Sequence, residues 1–421
     1  VMVILNDSGM SIDPDVGAVP AHLARLRSRP GYYHFKKWYR SLFGSRPMQN
    51  PLYRFNHKVK TFLKRNLFPG STLFEDMGFT YLGPVDGHDL PRLCDALSWA
   101  RELDCPVVVH VNTVKGKGVP FAERNPDMYH GVGPFDPETG RLEKTGEESF
   151  SSVFGKALTD FAREDSRVCA ITAAMADGTG LSGFARTFPA RFFDVGIAEG
   201  HGVSMAAGMA AQGLLPVFAV YSTFLQRSYD MLIHDVALEN LHVVLGVDRA
   251  GLVGADGETH HGCFDLSYLS LMPNMTVMAP KNKWELSDML KFAVDHCGPV
   301  AVRYPRGSAF DGLEAYREPI ELGKSEWIFR GSDLALLAVG SMVMTGEKVR
   351  EALKTQGCDP SLVNMRFVKP LDKTRLDELA KDHQVLVTME ENVLSGGMGE
   401  RVRAYVNARY PQIQVISIGI P

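Results

Sequence analysis

Short apolar runs recur along the chain, separated by helix-like segments or by loops rich in glycine and proline. Val107–Thr113, Val168–Thr172, Phe192–Gly196, Leu214–Tyr221, Leu241–Val247, Val300–Arg303, Leu334–Gly340 and Gln384–Thr388 each read as a buried strand. They have strand length and are rich in β-branched residues. Gly202–Gln212 reads as a helix of small residues, and Gly346–Gln356 as a second helix. Strands alternating with helices predict mostly parallel sheets covered on both faces, an α/β fold. Polar, Gly/Pro-containing stretches at 131–148 and 307–323 divide the pattern into three consecutive α/β domains. Their expected bounds are 1–135, 149–306 and 324–421. Val1–Leu5 reads as a buried strand entered midway, and Val415–Pro421 stops on a strand. The sequence is therefore expected to be a piece of a longer chain.

Composition changes this picture little. A chain of 421 residues suits two to three domains, at about 150 residues each. The balance of 45 basic against 49 acidic residues, net −4, argues against a general nucleic-acid binder. Cys94, Cys105, Cys169, Cys263, Cys297 and Cys358 are scattered, with no Cys-x-x-Cys and no zinc spacing. Free thiols in a reducing cytoplasm are expected. No apolar run reaches the roughly 18 residues of a membrane span. One segment is unlike the rest: residues 16–74 hold 12 Lys and Arg and no Asp or Glu, with Tyr32, Tyr33, Phe35, Trp38 and Tyr39 among them. Cations interleaved with aromatics suit nucleic acid, but no nucleic-acid motif accompanies them. A partly helical, solvated insertion is favoured over nucleic acid.

The strand–helix–strand unit from Phe192 to Tyr221 puts Glu199 after the carboxyl end of a strand, where open parallel sheets place ligands. An acid at a helix start is by itself ordinary, since the helix dipole favours it. Its surroundings are less so. Asp194-Val-Gly-Ile-Ala-Glu199-Gly-His-Gly, followed by Tyr221-Ser-Thr-Phe224, resembles the pyrimidine-binding domain of the transketolase-like thiamine-diphosphate enzymes. Leu5-Asn-Asp-Ser-Gly-Met10, Tyr81-Leu-Gly-Pro-Val-Asp-Gly-His-Asp89, Asp248-Arg-Ala-Gly and Arg303-Tyr-Pro-Arg-Gly307 extend the resemblance over nearly the whole chain. Within that group the strings are similar to those of the branch that joins pyruvate to D-glyceraldehyde 3-phosphate with loss of carbon dioxide.

The resemblance implies a transketolase-like fold, thiamine diphosphate with Mg2+ as cofactors, and a cytoplasmic homodimer. It assigns 1–135 to the remainder of a diphosphate-binding domain, with a mobile basic insertion at about 16–74 near the active-site mouth. It assigns 149–306 to the pyrimidine-binding domain and 324–421 to a C-terminal domain. Glu199 would bond the pyrimidine ring nitrogen, and Phe224, about 25 residues later, would stack on that ring. Ala174, Met175 and Val119 would also contact the cofactor. Ser8 and Met10 would hold magnesium, with Ser8 standing where the family has asparagine. Val119 stands where an aromatic is usual, and the family's Gly-Asp-Gly motif would lie upstream of Val1. The chain alone is therefore expected to bind thiamine diphosphate weakly.

Arg249 and Arg306 would grip the aldehyde's phosphate, a task for which the planar guanidinium fork is suited. Tyr221 and Arg227 would line the same pocket, and Asp256 and His260 would contact substrate hydroxyl and carboxylate groups. His130 and His260 are the candidates for proton transfer. His201, His261, Lys115 and Lys117 are weaker candidates. Gly396-Gly-Met-Gly lacks the full dinucleotide fingerprint and reads as a helix-start turn. The other functions considered are ketol transfer between sugar phosphates and a non-catalytic subunit or remnant of a split enzyme.

Overall fold

The apolar runs become strands of three separate sheets. The computed structural model describes residues 1–10, 73–126, 128–142 and 148–421, in two compact units, 1–144 and 145–421. Nearly all of the basic 16–74 segment, including its five aromatics named above, lies outside the described residues.

In the first unit, β1 (Met2–Asp7), β2 (Thr80–Asp86) and β3 (Val107–Asn112) form a parallel sheet in the order β1-β3-β2. Helix α1 (Leu90–Arg101) starts where the Asp89 side chain accepts from the Arg92 N–H. Its Ala96 and Ala100 pack against Leu82, Val107, Val109 and Val111. Most of the run Val1–Leu5 forms β1. Among the described residues β1 pairs with β3 alone, and Val3 and Ile4 are 42% and 55% exposed.

The second unit holds two sheets. The larger contains β4 (Val168–Thr172), β5 (Phe192–Asp194), β6 (Leu215–Tyr221), β7 (Val244–Asp248), β8 (Thr276–Met278), β9 (Val300–Arg303) and β13 (Phe367–Lys369). Their order is β13-β8-β9-β7-β6-β4-β5, all parallel except β13. Helix α2 (Phe150–Glu164) opens with a reciprocal Ser149–Ser152 capping box. Its Phe154 and Leu158 are fully buried, each worth about 1.5–3 kcal/mol of apolar burial. Helix α3 (Glu199–Ala211) lies on β6. Its small residues let the backbones approach, since a Cβ at Gly202 would sit 2.7 Å from the Phe218 ring. Helix α4 (Lys283–Asp295) packs beside α2.

The smaller sheet contains β10 (Glu326–Phe329), β11 (Ala335–Ala338), β12 (Ser361–Asn364), β14 (Val385–Val393) and β15 (Gln414–Ile420). Its order is β10-β12-β11-β14-β15, with only β10 antiparallel. Helix α5 (Met342–Lys354) packs on this sheet. The residues read as a third domain thus also supply β13, the antiparallel edge of the larger sheet. At this junction Lys281 and Arg366 pair with Glu285 and Glu326, and none of the four side chains is more than 2% exposed.

Helix α6 (Met398–Arg409) begins inside the Gly396-Gly-Met-Gly string, as the sequence suggested. What its first turn holds is internal: the Glu390 carboxylate accepts from the Met398 and Gly399 N–H groups at 2.8 and 2.7 Å. Burial raises the Glu390 carboxyl pKa, against the pull of those two bonds.

Candidate functional site

The carboxyl ends of β9, β7, β6, β4 and β5 are consecutive in the larger sheet. β4 is where the strand order reverses, with β5 on one side and β6 on the other, the usual place for a ligand. Register brings particular residues level: Tyr221 at the end of β6 lies opposite Asp248 at the end of β7. Two residues just past strand ends, Ala174 and Arg249, take left-handed backbone angles, φ 58° and 55°. Such angles are strained for side chains by about 1–3 kcal/mol. Neighbouring carboxylates hold them there: Ala174 N–H donates to Asp194 and Arg249 N–H to Asp248, at 2.8 and 2.7 Å.

Glu199 is the first residue of α3 and is 3% exposed. Its Oε1 accepts from Arg227 Nη1 at 2.6 Å. The same guanidinium lies 4.9 Å from the centre of the Phe224 ring. Phe224 stacks on Tyr221 at 5.8 Å and meets the His260 ring edge-on at 5.4 Å. One run of contacts therefore links Glu199, Arg227, Phe224, Tyr221 and His260.

The run continues to the arginines. Arg249 lies 4.1 Å over the Tyr221 ring and donates to Asp248, Ser151 and the Gly178 carbonyl. Gly178 is required there, because a Cβ would fall 2.1 Å from the Tyr221 hydroxyl. Arg249 Nε is buried without a hydrogen-bond partner and lies 3.7 Å from the Asp256 carboxylate. Arg306 Nε pairs with the other oxygen of Asp256 at 3.0 Å. Asp256, expected at substrate hydroxyls, is thus the shared counter-ion of both arginines. Burial pushes the Tyr221 phenol up to about 12, so it stays a neutral donor. Burial also raises Asp248, against the Arg249 charge and the Ser151 bond.

The remaining candidates are not part of this run of contacts. Ala174 and Met175 are buried at the end of β4, where the Met175 carbonyl accepts from Thr179. His201 is exposed, and His261 accepts from the Val253 N–H, a loop-holding role. In the first unit, Val119 is 40% exposed and caps the short helix Pro120–Arg124. Lys117 lies 4.0 Å from Glu123. His130 has its pKa lowered, first by desolvation and then by the Lys115 charge.

Ser8 Oγ donates to the Met10 carbonyl at 2.9 Å. That separation is the ordinary length of an O–H···O bond. The neighbouring Asp7 carboxylate is taken by the Gly9 N–H and by His110 Nε2, at 2.9 and 2.8 Å. Among the described residues no group of three or more His, Cys, Asp or Glu could hold a metal.

Sequence reasoning missed Ser151 and Glu391. Glu391 accepts from Ser341 at 2.6 Å and abuts Gly251 in the loop after Arg249. No local signal marks either residue, since both act across the fold. All six cysteines are free, and no described helix is long and apolar enough to cross a membrane. An open groove of about 430 Å³ beside α4 shares no residue with this cluster.

Comparisons with known proteins give this site a family. Residues 147–310 match the transketolase pyrimidine-binding domain, and residues 323–421 match the transketolase C-terminal domain. Residues 1–113 match the 1-deoxy-D-xylulose-5-phosphate synthase family. The whole chain is 48% identical to the proteins named 1-deoxy-D-xylulose-5-phosphate synthase of Lachnoclostridium phytofermentans and Desulforudis audaxviator, of which it covers 68% and 67%. A solved split-gene transketolase, described as an inactive β4 tetramer, is 28% identical with a TM-score of 0.60, over 65% of this chain and 90% of that one. Transketolase from Campylobacter jejuni shares the fold at 16% identity, with a TM-score of 0.56 over 84% of this chain and 65% of that one. The chain belongs to the 1-deoxy-D-xylulose-5-phosphate synthase family, transketolase-like thiamine-diphosphate-dependent transferases with a mixed α/β fold and mostly parallel sheets.

Proposed function

We propose that the strand-end cluster of the second unit joins pyruvate to D-glyceraldehyde 3-phosphate, releasing carbon dioxide and 1-deoxy-D-xylulose 5-phosphate. When bound, thiamine diphosphate supplies the carbon nucleophile and electron sink that no side chain offers. Glu199 holds the pyrimidine ring nitrogen and Phe224 lies against the ring face. Arg249 and Arg306 exchange the Asp256 carboxylate for the aldehyde's phosphate, and the unpartnered Arg249 Nε donates to one of its oxygens. His260, edge-on to Phe224, holds a proton beside the reacting groups. His130 is a second proton carrier, its pKa lowered by desolvation and by the Lys115 charge. Ser8 Oγ and the Met10 carbonyl supply two oxygens to magnesium. Ala174, Met175 and Val119 line the cofactor, and Tyr221 and Arg227 line the substrate pocket. The working unit is a cytoplasmic homodimer.

One observation carries this reading: the continuous run from buried Glu199 through Phe224 and Tyr221 to the Arg249–Asp256–Arg306 group. It offers an aromatic face with a carboxylate at one end and paired cations at the other.

The test supplies the chain with thiamine diphosphate, magnesium and labelled pyruvate, with and without glyceraldehyde 3-phosphate. Carbon dioxide release that rises with the aldehyde is expected. Ketol transfer from a ketose phosphate without pyruvate would favour transketolase chemistry. The likeness to an inactive split-gene transketolase supports one second reading, a subunit that acts only with another chain. Absence of both activities from the isolated chain would favour it.

A further inference from the structure

We propose that Arg227 is a built-in placeholder for the aminopyrimidine, occupying its position until the cofactor displaces it. The proposal rests on the assignment of Glu199 and Phe224 as the pyrimidine site. A guanidinium and an aminopyrimidine share a planar array of conjugated nitrogens with N–H donors at the rim. In the structure one guanidinium makes both contacts that such a ring would make. Nη1 lies 2.6 Å from the Glu199 carboxylate, and the group sits 4.9 Å from the Phe224 ring centre. Among the described residues these are its only polar or ring contacts. The Glu199 carboxylate can accept from more than one donor, but a ring laid on the face of Phe224 that the guanidinium covers would have to displace Arg227 from it.

The burial of the two partners says which one moves. The Glu199 side chain is 4% exposed and fixed at the start of α3, whereas that of Arg227 is 52% exposed. The arginine can swing into water without opening the core. While it is in place, a buried carboxylate keeps a counter-charge that it would otherwise lack, and an unpaired buried charge is costly. The contact thus stabilises the empty site and opposes filling it.

The experiment measures thiamine diphosphate binding in the presence of magnesium by calorimetry, on the full chain and four variants. Arg227→Met keeps the volume of the side chain and removes its charge and its donors. It should tighten binding on the order of 10-fold, the worth of one charge-assisted bond, while the cofactor-free form melts at a lower temperature. Arg227→Lys keeps a cation without the planar fork and should fall between parent and Arg227→Met. In Glu199→Gln the cofactor should bind more weakly, and adding Arg227→Met to it should give no further gain. Unchanged or weaker binding in both Arg227 variants, with Glu199→Gln still impaired, would overturn the placeholder and leave the pyrimidine site standing. Parent-like binding in Glu199→Gln would overturn the pyrimidine site itself, and the placeholder with it.

Discussion

Two groups of opposed charges in the second unit look alike in composition and differ in what surrounds them. At the junction of its two sheets, Lys281, Arg366, Glu285 and Glu326 are each at most 2% exposed. Asn364 adds bonds to both glutamates there. At the strand ends, Glu199, Arg227, Arg249, Asp256 and Arg306 pair just as regularly, yet Arg227 and Arg306 are 52% and 40% exposed. Arg249 keeps one buried donor unused. Charge pairing alone therefore does not mark a site. What distinguishes the second group is that two of its three cations, Arg227 and Arg306, reach solvent and can exchange partners, whereas in the first any exchange would strand a charge in the core.

The largest expected effect breaks the closed group. Arg366→Met should lower unfolding free energy by about 3–5 kcal/mol, read from urea denaturation. A loss below about 1 kcal/mol would show that Lys281 alone neutralises both glutamates. Glu199→Gln should do the reverse, leaving stability within about 1 kcal/mol, since its partner is half exposed. It should nonetheless reduce turnover about 100-fold or more, the scale of general acid–base assistance. Turnover within a few-fold of the parent would place the chemistry elsewhere. Arg306→Met should raise the Michaelis constant for the aldehyde on the order of 10-fold and leave that for pyruvate unchanged. The opposite split would mean that the arginines hold the 2-oxo acid.

The smallest effect concerns His130, whose folded pKa is lowered from 6.5. The unfolded chain takes up that proton first as pH falls. The contribution to stability is therefore complete above 6.5 and declines as pH drops below it toward the folded pKa. Ring-proton NMR should place the His130 midpoint below 6.5, and His130→Asn should flatten the acid side of the stability profile.

The sequence revealed local matters well. Val168–Thr172 and Val300–Arg303 form strands with the bounds that their apolar runs suggested, because a buried parallel strand needs an uninterrupted apolar run. Tyr221, Phe224 and Arg227 come together because they lie on one strand-to-helix turn. What the sequence concealed depends on distant pairing. β13 joins a sheet whose other strands lie far earlier in the chain. The Arg227–Glu199 contact needs the packing of α3 beside the turn after β6, and neither residue signals the other.

The central claim, that the exposed pairs exchange partners with ligands, is tested most directly by phosphorus NMR of the cofactor-free chain titrated with glyceraldehyde 3-phosphate. The account predicts saturable broadening and shift of the phosphate signal, unchanged in Arg317→Met, which breaks a surface pair with Asp288 beside α4, and abolished in the Arg249→Met/Arg306→Met double variant. Equal binding by the parent and the double variant would contradict it.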